Sequence, residues 1–293
     1  VSAAETGQLT NPPTSTEELS SPESISGNEA ASALNGLSVL AANGEAEVTT
    51  ASELTGALAD SSISRITLKG DIDIGSTLTV NRTVTLDLNG CVLKMTGSDS
   101  VIKVEADGDL TIQDRNTTTQ HKFNPHCKYL TWYIDMWELD NGGSEIVSGG
   151  VITGGGGDQS NGGGVLVAGG TLVMAGGSIV GCSAMSRGGG VCNNGTFIMS
   201  DGMIKGCTSP DGQYASGGGV RNSNQFTMTG GMIGDPDNEN DASHVYNTSS
   251  QETTLTISGN AKIYTDITNV GILNADGGEI AGTMTNDTNR YGT

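Results

Sequence analysis

Basic side chains are scarce. Lysine and arginine number 13 against 33 aspartates and glutamates, for a formal net charge of −20. Nucleic acid needs a basic footprint, so that class of ligand is excluded. Anionic membrane surfaces and polyuronates are disfavoured on the same ground, while divalent cations stay compatible. Large rings are few as well, with three Phe, six Tyr and two Trp in 293 residues, so a globular core filled with aromatics is not expected. No apolar run reaches the roughly 18 residues of a membrane-spanning helix. The five cysteines, at 91, 127, 182, 192 and 207, are odd in number, and their spacing matches no zinc motif.

Glycine is what the chain has in excess, 45 residues against only six prolines. It follows no three-residue period, which excludes collagen, and it recurs at fixed places, which separates it from linker sequence. Gly-Gly-Val-Ile-Thr-Gly (149–154), Gly-Gly-Ser-Ile-Val-Gly (176–181), Asp-Gly-Met-Ile-Lys-Gly (201–206) and Gly-Gly-Met-Ile-Gly (230–234) place Ile152, Ile179, Ile204 and Ile233 at intervals of 27, 25 and 29 residues. Self-similarity at such a period marks a solenoid.

Within each repeat, apolar residues two apart recur as Leu172/Met174, Phe197/Met199, Phe226/Met228 and Leu255/Ile257. That spacing puts both side chains on one face of a strand. Val165, Val191, Val220 and Val245 follow each isoleucine after 13, 12, 16 and 12 residues, so length varies at one corner. Narrow strands filled with Ile, Val, Leu and Met, joined at Gly corners, describe an all-β fold. The expected form is a right-handed parallel β-helix of about eight coils over 48–293, stacked at roughly 4.8 Å. Residues 1–47, rich in Ser, Glu, Thr and Asn, read as a flexible acidic leader or linker. Thr50 and Glu53 form a capping box ahead of a short helix over about 51–60, placed to cap the first coil.

Residues carrying this pattern also carry a family resemblance. Ala51-Ser-Glu-Leu, Ile66-Thr-Leu-Lys-Gly-Asp-Ile and Val84-Thr-Leu-Asp-Leu-Asn-Gly resemble the start of pectate-lyase-like adhesive domains on surface proteins of Gram-positive, often gut-dwelling, bacteria. The Gly-Gly-Gly-Val through Met-Ile pattern of 217–233 is similar to their glycine-rich repeats. The resemblance implies secretion, surface display and binding; the expected role is an adhesion module of a longer surface protein, with a glycan or host glycoprotein as ligand.

Residues 114–148 break the repeat. They hold both tryptophans and two of the three histidines. Tyr129, Trp132, Tyr133 and Trp137 form either a sugar-stacking platform or a satellite core against the solenoid wall. An alternative enzymatic reading, glycoside hydrolase or polysaccharide lyase, would use Asp114, Asp135, Glu138 and Asp140, with His121 as proton carrier. No cofactor is required by the sequence. Ca²⁺ is the one ion suggested, by the alternating carboxylates Asp235, Asp237, Glu239 and Asp241. Cys182 and Cys207 share a repeat position and read as small buried hydrophobes.

Overall fold

The computed structural model describes residues 44–127, 135–156, 161–209, 217–238, 241–248 and 252–286. Among them are one helix and long sheets of parallel strands, compatible with the expected β-helix. The strands stack in three ladders. The first starts with Glu45–Val48, Arg65–Leu68, Thr83–Asp87 and Asp109–Gln113, and continues through the leading residues of Thr171–Val180 and Thr196–Lys205 to Gln225–Met228, Thr254–Ile263 and Ile272–Ile280. The second includes Ile72–Ile74, Val92–Met95 and Val151–Thr153, then the trailing residues of those same two long strands and Met232–Ile233. The third is an eight-stranded parallel sheet running from Leu78–Val80 to Met284–Asn286. Strand Glu45–Val48 pairs with Arg65–Leu68, so regular structure begins ahead of the 47/48 boundary expected from composition.

Register follows the repeat at its recurrent apolar positions, with a shift between Met174 and Ser178 in Thr171–Val180. Leu172, Phe197, Phe226 and Leu255 are successive partners, as are Met174, Met199, Met228 and Ile257. Ile152, Ile179, Ile204 and Ile233 form a second row, and Val165, Val191, Val220 and Val245 a third. All of these side chains are buried. Phe197 lies flat on Phe226, with ring centroids 4.5 Å apart. Each such side chain contributes on the order of 1.5–3 kcal/mol by leaving water. Like stacks on like because every coil repeats the backbone of the one before it.

A polar row, buried from Asn193 to Asn269, accompanies the apolar ones. Asn193, Asn222, Asn247, Asn269 and Asn286 are register partners at the end of the third ladder. The side-chain amide of each donates to the side-chain carbonyl of the next, over 2.7, 2.7, 2.7 and 3.0 Å. The same Nδ2 atoms also donate to Gln225 O, Thr254 O, Ile272 O and Gly271 O in turn. A buried amide is tolerated only when its hydrogen bonds are made, and here stacking makes them.

The two ends differ. Helix α1 (Ala51–Ala59) opens with the expected capping box: Glu53 N donates to Thr50 Oγ1, and Thr50 N donates back to the Glu53 carboxylate. Leu54, Ala57 and Leu58 are buried beneath it, against the first strands. Arg82 reaches up from the next coil and donates to the carbonyls of Ala57, Leu58 and Ile63 at 2.9, 3.0 and 2.5 Å. Those carbonyls sit in and just beyond the last turn, where a helix leaves acceptors unpaired. At the other end Ile272 and Met284 are 46% and 43% exposed.

Candidate functional site

The break in the repeat at 114–148 is rooted by two aspartates. Asp114 Oδ1 accepts from Gly90 N at 2.7 Å, and its Oδ2 accepts from Gly150 N at 2.8 Å. One carboxylate thus ties both ends of the excursion to the corner of an earlier coil. Asp87, buried, accepts from Asn89 N, Gln113 Nε2 and Arg115 Nε. Burial alone would raise the Asp87 carboxyl, but hydrogen bonds from Gln113 and Arg115 together hold it below the usual value. His121 Nε2 lies 3.0 Å from Gly90 O; a carbonyl only accepts, so that nitrogen carries the proton.

Beyond this root the chain forms a three-stranded antiparallel sheet. Gln120–Cys127 is central, flanked by Asp135–Leu139 and Glu145–Ser148. Alternation along it turns Phe123, Trp137 and Val147 inward, where they pack with Val151 and Val180 of the solenoid wall. Trp137 is fully buried, its ring 6.4 Å from that of Phe123. Lys205 Nζ lies 4.3 Å from the centroid of its ring and 3.4 Å from Asp235 Oδ2. Gly206 is what admits the indole: its φ is +60°, and an added Cβ would stand 2.2 Å from the Trp137 ring. The backbone N–H of Trp137 in turn donates to Gly206 O.

This corrects the expectation for Trp137. A ring with no exposed surface cannot stack on a sugar, so Trp137 belongs to the satellite core. Tyr129, Trp132 and Tyr133 lie outside the described residues. Among the proposed carboxylates, both oxygens of Asp114 are engaged by backbone, and Asp140 Oδ1 accepts from Gly142 N in its own turn. Glu138 is on the exposed side of its strand, and Asp135 heads that strand while its side chain lies outside the described residues.

Between the added sheet and the second ladder runs a groove of about 410 Å³. Lys94, Thr96, Glu138, Leu139, Thr153 and Ser183 line it, with backbone from the glycine run 154–156 as part of its wall. It offers a cation, a carboxylate, hydroxyls and one aliphatic side chain at a single opening.

Comparison with known families bears on this region. Residues 45–148 match the family described as "Putative pectate lyase-like adhesive domain". The matched segment begins with the first strand and stops at the last residue of the antiparallel sheet. The match therefore includes that sheet. No curated protein and no solved structure matches the chain significantly.

Of the carboxylates expected to bind Ca²⁺, three lie among the described residues. Asp235 is buried against Lys205, and Asp237 is exposed, its N–H donating to Asp235 Oδ1. Asp241 is buried and accepts from Gly206 N and Ser243 N. Burial is the main cause that pushes its carboxyl above the usual range. Glu239 lies outside the described residues. Among the described residues no three His, Cys, Asp or Glu side chains come together as a metal site needs.

Cys182 and Cys207 are both buried and free, as the repeat suggests. Their thiols point at the Ile152 and Ile179 carbonyls, at 3.9 and 3.6 Å. Burial, before any other cause, drives the Cys207 thiol well above its usual value, which suppresses the reactive thiolate. The sequence reading missed the asparagine row and Arg82. The first was visible as an Asn two residues after the recurrent Val at 193, 222 and 247.

Proposed function

We propose that this chain is a non-catalytic adhesion module of a bacterial surface protein, displayed outside the cell on a right-handed, helix-capped β-helix of about eight coils. Its ligand is a glycan or glycoprotein held in the groove between the antiparallel sheet and the second ladder. The observation that supports this most is the location of the groove: it is walled by the last segment of the adhesive-domain match. Its mixed lining suits a sugar, whose hydroxyls take polar partners while its ring face covers an aliphatic group such as Leu139. A hydrolase or lyase reading has less beneath it, because Asp114, Asp140 and His121 already hold backbone.

The test is a glycan array on the intact chain, run with and without Ca²⁺, followed by titration of the best hit. Lys94→Ala or Glu138→Gln should weaken binding about tenfold, roughly 1.4 kcal/mol, with thermal stability unchanged. Ser183→Trp should abolish it by filling the opening. An array with no hit under either condition, or a hit indifferent to all three substitutions, would remove the groove from consideration.

A further inference from the structure

Lys205 is enclosed, and what faces it is a carboxylate. It ends the strand Thr196–Lys205, while Asp235 lies just past Met232–Ile233, the paired strand of the next coil. Lys205 Nζ stands 3.4 Å from Asp235 Oδ2, and the two side chains are only 8% and 7% exposed. The indole of Trp137 also covers the amine, its ring centroid 4.3 Å from Nζ. The other oxygen of Asp235 accepts from Asp237 N at 3.1 Å, which fixes the turn of the carboxyl group. Lysine pairs elsewhere differ. Lys69–Glu47 and Lys103–Glu105 are shorter, at 2.7 Å, but their side chains are between 38% and 57% exposed. Water holds those groups as ions. At Lys205 an aromatic face and the neighbouring coil stand where water would be.

Enclosure changes what the two groups can do. Burying an ammonium and a carboxylate strips hydration that their mutual attraction must replace. Transfer of one proton between them leaves an amine and a carboxylic acid, both neutral and easier to bury. Two reactive groups fixed in contact meet at an effective concentration far above that of any free reagent. Bulk water opposes their condensation, because it solvates the ions and is itself the product. A closed site weakens both objections.

We infer that Lys205 and Asp235 are joined by an intramolecular amide bond that staples one coil to the next. The Nζ–Cγ bond forms, and one carboxyl C–O bond breaks. The ammonium gives up two protons, and both leave with the departing oxygen as a single water. One cation and one anion become a neutral amide. Nothing is oxidised or reduced, so no co-reactant is needed. The bond closes a loop between residues 30 apart and restricts the unfolded chain as a disulfide does. Asp235 is followed by Pro236, whose nitrogen carries no hydrogen. Ring closure of the aspartate onto the next backbone N–H, the usual way such a residue loses water, is therefore closed to it. The inference does not rest on the groove reading.

The experiment is mass spectrometry of the intact chain, purified folded and then denatured, with tandem analysis of its tryptic peptides. The main species should be one water lighter than the sequence requires. Lys205 and Asp235 should appear in one branched peptide, with no cleavage after Lys205. Lys205→Arg keeps a cation beside Asp235 but should restore the full mass, and Asp235→Ala should do the same. The branched peptide is read on the unsubstituted chain, so the test stands even where a variant fails to fold. Full sequence mass in the unsubstituted chain overturns the staple. So does a missing water that persists in Lys205→Arg, or one that maps to an Asp-Gly step such as Asp107-Gly108, Asp201-Gly202 or Asp276-Gly277.

Discussion

Among the described residues, the first and last coils are built from the same ladders yet are covered differently. At the N-terminal end helix α1 lays Leu54, Ala57 and Leu58 over the first strands, and Arg82 closes the carbonyls of its final turn. At the C-terminal end Ile272–Ile280 and Met284–Asn286 are paired on one edge and largely exposed. The difference teaches where a stacked fold keeps its stability. A middle coil is buried from above and below, whereas a terminal coil gains only what covers it.

The sharpest way to break this contrast is a pair of truncations. Leu54→Ala should cost about 2–5 kcal/mol, as expected for a buried leucine, read as a fall in thermal midpoint and lost amide protection in Arg65–Leu68. Ile272→Ala should cost under about 1 kcal/mol, in keeping with a half-exposed side chain. Equal losses at the two ends would contradict the contrast. Next in size is the asparagine row. Asn222→Ala interrupts it between fully buried neighbours and strands two amides, for about 2–3 kcal/mol. Asn269→Ala, next to the exposed Asn286, should cost about half as much by denaturant titration.

Arg82→Met should follow, at about 1–3 kcal/mol, because it preserves the aliphatic stem while leaving three carbonyls without a donor. Amide exchange should show the loss confined to α1 and the strands under it. The smallest effects concern pH. Asp87 is held below its ordinary 3.8, so its stabilising contribution is complete above that value and is lost as pH falls through the folded one. Asp241 is held above 3.8, so stability drops as pH rises through its folded value. Thermal midpoints at pH 7 should accordingly fall for Asp87→Asn and hold or rise for Asp241→Asn. The Asp87→Asn profile should also lose its acid-side slope.

Much of this architecture was legible in the residues. Apolar pairs two apart and isoleucines at intervals of 27, 25 and 29 predicted the ladders, and the observed partners Ile179, Ile204 and Ile233 are those the repeat aligns. Thr50 and Glu53 announced α1 because capping is local. The candidate site was less legible, since its contacts join distant segments. Nothing in Met-Trp-Glu tells that Trp137 will lie on Gly206, and a glycine that looks like a corner residue is also the vacancy an indole fills. Asp114 reads as an acid available for chemistry until Gly90 and Gly150 are seen to donate to it.

The stacking direction also bears on mechanical load. Backbone hydrogen bonds between parallel strands run along the axis of the pile, and Glu45 and Asn286 belong to its opposite extremities. Tension applied between those extremities pulls coils apart along the bonds, one interface after another, instead of shearing many at once. A stack loaded in this way releases length in steps of one coil.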